Sequence, residues 1–228
     1  MADELEISLT GTRVRKWGRM KVGISDYGAS GIAVPTANAD LFDLTAESPA
    51  VPSYKPKAFP AGVKELGYLM TSGIVDAKSV SSNTTQMLQS LTPVRTDVES
   101  IEQTVQMVFG EANAYTAALR AGLPVSEWAS TKDDAWAVAE GEADDLPWYV
   151  LWLQGVDGIG TNAIYRYEIG LRCQVTAFDN RTMNRSDPES FGVTFGLFLD
   201  PTTKKSYVRA EDGPGYTNHL AASVALPD

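Results

Sequence analysis

TPVRTDVESIEQTVQMVFGEANAYTAALRAG, residues 92–122, carries two periodicities back to back. Ile101, Gln103, Val105, Met107 and Phe109 fall on one side of an extended chain, and Glu102, Thr104, Gln106 and Val108 on the other. Alternation with period two and polar residues on one side is the pattern of a half-buried strand. From Glu111 the period changes: Ala114, Ala117, Ala118 and Ala121 recur at helical spacing, as do Tyr115, Leu119 and Gly122. Asn113 is the expected N-cap, and Arg120 sits in the last turn, where a cation suits the helix dipole. Gly122 followed by Pro124 stops the helix. The stretch therefore predicts a long strand running straight into a helix over about residues 111–122.

Outward from this pair, strand patterns dominate. Residues 19–25 and 65–70 read as short strands, and residues 74–86, rich in Ser, Thr and Val, as a longer one. Residues 85–93 then form the tip of a long hairpin and expose Met87, Leu88 and Leu91. Apolar side chains in such a tip are natural at an interface. Residues 146–156 are strongly apolar and predict a buried strand. Residues 163–178 give the cleanest alternation, with Tyr165, Tyr167, Ile169, Leu171, Cys173 and Val175 expected on one face. Phe191, Val193, Phe195, Leu197 and Leu199 alternate again, residues 204–210 are one more strand, and residues 135–138 an edge strand. Many strands, one helix and no regular strand–helix alternation predict a mainly β chain: an antiparallel β-sandwich or barrel with one flanking α-helix.

The domain reading has three parts: an N-terminal strand and extended arm (1–62) belonging to the same unit, a sandwich or barrel domain (63–216), and a C-terminal tail (217–228). In the arm, Pro35, Pro49, Pro52, Pro56 and Pro60 interrupt the backbone while apolar residues persist, so residues 26–62 are expected to pack against something else and to order on contact.

Net charge is −10, which favours solubility and disfavours a surface that grips nucleic-acid phosphates. Five cations cluster near the N-terminus: Arg13, Arg15, Lys16, Arg19 and Lys21. A basic arm on an acidic body suits self-assembly, with Arg13, Arg15, Lys16 and Arg19 of one copy on the body of another; the alternative is a solvated terminal segment. No apolar run reaches the ~20 residues of a membrane span. The acidic start, MADELE, lacks the basic and apolar regions of a signal peptide, so synthesis in a cytoplasm is expected.

Motifs with chemical meaning are weak. Gly158-Ile159-Gly160-Thr161-Asn162-Ala163 fits G-x-G-x-x-A, but a strand follows it where a dinucleotide site needs a helix N-terminus. A glycine-rich hairpin turn is the better reading. His219, the single histidine, lies in the tail, away from any oriented triad. Cys173 falls on an apolar strand face and reads as a small core residue; one cysteine makes no internal disulfide and no cysteine-clustered zinc site. Glu140, Glu142, Asp144 and Asp145, and likewise Asp179, Asn180, Asp187 and Glu189, offer calcium ligands or a carboxylate pair, but neither group has EF-hand spacing, and solvated acidic loops are the favoured reading. The expectation is no catalysis, no cofactor and no metal. The five tryptophans with Tyr149, Tyr165 and Tyr167 leave open a sugar-stacking platform, against which core packing is favoured.

The order of elements resembles the major tail protein, the tail tube subunit, of long-tailed bacteriophages, particularly those of actinobacteria. The matching residues are Lys21-Val22-Gly23-Ile24, Val34-Pro35-Thr36, Glu65-Leu66-Gly67-Tyr68 with Ser72-Gly73-Ile74, and Pro93-Val94-Arg95-Thr96. The strand to Phe109 with its following helix, and the long final strand pair, complete the likeness. The resemblance implies hexameric rings stacked into a hollow virion tube through which double-stranded DNA passes without specific binding. It implies contacts with a tape measure protein, a tail terminator and baseplate-proximal tail proteins, and none with a membrane. It places the hairpin tip, with Met87, Leu88, Leu91 and Arg95, at the ring-to-ring contact. The rival from another class is a carbohydrate- or receptor-binding β-sandwich, which an exposed tryptophan cluster on one sheet face would favour.

Overall fold

A computed structural model of the chain describes residues 15–33, 35, 37–45, 53–88, 92–141, 145–181 and 183–216. Strand β1 (Arg19–Asp26) is followed by a one-turn helix α1 (Asn38–Leu41) and a small hairpin, β2 (Phe42–Thr45) with β3 (Ser53–Pro56). Next come β4 (Lys64–Glu65), β5 (Leu69–Thr85), β6 (Arg95–Phe109) and helix α2 (Ala114–Arg120). The remainder is β7 (Tyr149–Asp157), β8 (Ile164–Phe178), β9 (Phe191–Leu197) and β10 (Tyr207–Asp212). The protein is mainly β and antiparallel throughout, with α2 on its flank.

The main sheet has eight strands in the order β4-β1-β7-β8-β9-β6-β5, with β10 also on β8. Consecutive strands β4 and β5 thus lie at its two ends, and the few residues joining them bridge the gap. On one side Leu66 N–H donates to Val22 O at 2.9 Å; on the other, Gly110 N–H donates to Tyr68 O at 3.0 Å, and Leu69 pairs with Phe109. The sheet so curls into a barrel-like body, which removes most of its open edges.

Two cores use the two faces. Inside lie Val22, Ile24, Val105, Met107, Phe109, Tyr149, Leu151, Leu153, Phe195 and the buried side of α2. Outside, Trp152, Tyr167, Ile169, Leu171 and Val208 pack under Leu41 and Phe42, with Phe59 and Val63 beside them. This corrects the expectation for the arm: its described part folds back on its own sheet, because the outer faces of β7, β8 and β10 are apolar and need a cover.

The single-face reading of β8 is corrected as well. Leu151 pairs with Gly170 but Tyr149 pairs with Cys173, so β8 carries an extra residue there. Such a bulge inverts the facing of every later side chain. Tyr167, Ile169 and Leu171 therefore join the outer core, and Cys173 and Val175 the inner one. Residues 135–138 form no strand; the edge-strand expectation fails there because no ladder partner is present among the described residues. The predicted strand beyond Leu197 also stops early, and Phe198 and Leu199 are exposed.

The helix begins where its cap lies. The Asn113 side chain accepts from the N–H groups of Tyr115 and Thr116, each at 2.9 Å, while Asn113 N–H donates to Thr116 Oγ1 at 2.9 Å. Asn113 Nδ2 also donates to Leu66 O at 3.0 Å, tying α2 to the closure segment. Asn113→Ala is expected to cost about 1–2 kcal/mol, lowering the thermal midpoint by roughly 2–8 °C. A calorimetric midpoint equal to the parent's would show that this cap adds nothing.

Candidate assembly surfaces

Only the base of the β5–β6 hairpin belongs to the body. β6 meets β9 from Gln103 to Phe109, and above Gln103 its pairing is with β5 alone. Residues 75–88 and 92–102 are all exposed. Asp76 ties the base of this ribbon to β10 through an ion pair with Arg209 and accepts from Gln103 Nε2 at 2.9 Å. A two-stranded ribbon, with nothing behind it among the described residues, is marginally stable in water.

The register makes the ribbon two-faced. Val80 lies opposite Ile101; Ser81 pairs with Ser100 and Ser82 with Val98, which leaves Glu99 as an extra residue. The bulge brings Val98 onto the face of Val80 and Ile101, in line with the inward-facing Val105 and Met107. Val80, Val98 and Ile101 are all more than half exposed. The opposite face carries Ser79, Glu102, Ser81, Ser100, Asn83 and Asp97. At the tip Met87 is 53% exposed and Leu88 100%. Arg95 is exposed and pairs with Asp97 at 2.7 Å. Leu91 lies outside the described residues.

The cationic segment divides. Arg15 is engaged within its own chain: Nη2 donates to the Tyr216 hydroxyl at 3.3 Å, and Nε lies 3.8 Å from Glu211. Trp17 packs under the Arg166 guanidinium at 4.3 Å, which ties this residue to β8. Lys16 and Arg19 remain exposed beside the turn at Gly158, Ile159 and Gly160. Arg13 lies outside the described residues.

A cavity of about 250 Å³ opens at the other end of β6, between α2, the start of β9 and residues 136–140. Its lining includes Ala112, Ala117, Arg120, Trp136, Val138 and Phe191. Glu111 closes one side. Burial works to raise its pKa, but bonds from Lys132 Nζ at 2.8 Å, Tyr68 N–H at 2.9 Å and Asn113 outweigh that and hold the carboxyl below its usual range. Arg120 Nε lies 3.7 Å from Glu140, while Arg120 Nη1 is buried with no acceptor among the described residues. Sequence reasoning missed this cavity, since its walls come from four separated stretches.

No protein-family model matches the sequence, and no curated protein matches it either. The chemistry of the chain is therefore read from its own residues. Residues 158–163 form the turn between β7 and β8, with a single 3₁₀ turn at Gly160–Asn162 and a strand immediately after. Cys173 is fully buried, and burial pushes its thiol up to about 12. His219 lies outside the described residues, as do Glu142 and Asp144. Asp179 accepts from Gln106, Asp187 from Asn184, and Glu189 pairs with Arg181. Among the described residues no group of three or more His, Cys, Asp or Glu side chains is placed to hold a metal ion. The tryptophans are dispersed. Trp152 and Trp128 are buried, Trp148 lies under Arg172 at 3.9 Å, Trp17 under Arg166, and Trp136 is exposed.

Proposed function

We propose that the protein is a structural subunit that polymerises head to tail into a hollow tube of the phage tail type. Stacked rings, hexameric by the resemblance, would form a virion conduit for double-stranded DNA. The observation that carries the reading is the ribbon. Val80, Val98 and Ile101 on one face, with Met87 and Leu88 at the tip, expose apolar surface that a solitary subunit has no use for. Burying each such side chain in a neighbour contributes about 1.5–3 kcal/mol.

The charge supports the same reading. A net charge of −10 keeps a tube wall from gripping phosphates, so DNA slides along it. A tube subunit requires no nucleophile, oriented base or metal site. The dispersed tryptophans offer no aromatic platform for a sugar-binding role.

Purified protein at high concentration is expected to form rings and hollow tubes in negative-stain electron microscopy, together with a fast-sedimenting boundary. A monodisperse monomer at every concentration, with the hairpin intact, would count against the reading.

A further inference from the structure

We infer that the cavity between α2 and residues 136–140 is the receptor for the hairpin tip of a second copy of this chain, with Leu88 as the inserted side chain. The inference rests on the tube reading and names the surface that meets the tip.

The tip and the cavity lie at opposite ends of β6, which at its length spans about 50 Å. One chain cannot bring them together. A contact between them must join different copies, and repeated head to tail without closure it propagates as a stack.

The two surfaces match in chemistry. The tip offers Leu88, wholly exposed, and Met87 beside it. The cavity offers Ala112, Ala117, Val138 and Phe191 as apolar wall, in a lining that also includes Glu111, Asn113 and Thr116. At about 250 Å³ it is roomy for a leucine side chain. Its rim carries Trp136, the exposed tryptophan of the described residues, and Arg120. Tryptophan and arginine are the residue types over-represented at energetic centres of interfaces. Cavity and tip also agree in charge: Arg120 and Arg181 are matched by Glu140 and Glu189 at the walls, and Gln86, Met87 and Leu88 are neutral.

Two readouts test the contact. Leu88→Cys and Ala117→Cys proteins are prepared separately, mixed, and treated with a short bismaleimide. Cys173, fully buried, does not compete. The expected result is a covalent product of twice the subunit mass from the mixture and from neither protein alone. Absence of that product at concentrations where the parent assembles overturns the inference. Ala117→Trp, and separately Ala112→Trp on the exposed rim, are expected to fill the cavity and raise the critical concentration for assembly at least tenfold with unchanged circular dichroism. Normal assembly by both folded variants also overturns it. The outcomes separate the two claims. Tubes without the cross-link remove the cavity assignment and leave the tube reading intact; the cross-link without tubes keeps the contact and removes the tube.

Discussion

Leu88→Asp is expected to give a folded subunit that does not polymerise. The side chain is wholly exposed in the subunit, so its replacement removes nothing from either core. In the proposed polymer the same side chain would be buried. Losing that burial removes about 1.5–3 kcal/mol per contact, which is roughly a 10- to 150-fold weaker association. The new carboxylate adds the cost of desolvating a charge, so the lower bound is conservative. In a ring the loss recurs at every subunit. Circular dichroism and the thermal midpoint should match the parent, while sedimentation and electron microscopy should show the subunit alone. An unfolded variant would mean that Leu88 supports the body after all. Long tubes from a folded variant would mean that the tip is no contact.

Leu41→Ala is expected to destabilise the isolated subunit by about 2–5 kcal/mol, the range for deleting a buried leucine side chain. Leu41 closes the outer core and is completely buried over Trp152, Tyr167 and Ile169. Lys57 N–H donates to Leu41 O at 2.8 Å, so backbone and side chain both hold the arm in place. The thermal midpoint should fall by roughly 4–20 °C. The measurement belongs on the subunit below its assembly concentration. An unchanged midpoint there would restore the view that this arm orders only on assembly. A large drop shows that it is part of the subunit's own core.

How much of this was legible in the sequence depends on whether a signal was local. The strand and helix of residues 92–122 were legible because alternation, cap and stop all lie within one stretch, and Asn113 does cap α2. The facing of β8 was not. An extra residue after Leu171 reverses the side chains, yet the apolar alternation continues unbroken because apolar cores lie on both faces of the sheet. The ribbon shows the converse. Val98 and Ile101 have opposite parity in the sequence, and only the bulge at Glu99 sets them on one face. Met87 and Leu88 were legible at the tip because they stand out from a polar connection. The walls of the cavity were not, since Arg120, Trp136 and Phe191 meet only through the packing of α2. The arm misled because prolines mark breaks in local structure and say nothing of long-range contacts such as those of Leu41 and Phe42.

A helical reconstruction of the assembled protein from cryo-electron micrographs tests the central claim most directly. The account predicts a hollow tube of stacked rings, with each β5–β6 hairpin crossing from one ring to the next and its Val80, Val98 and Ile101 face covered. A solid filament, or a closed oligomer in which the hairpins remain in solvent, would contradict it.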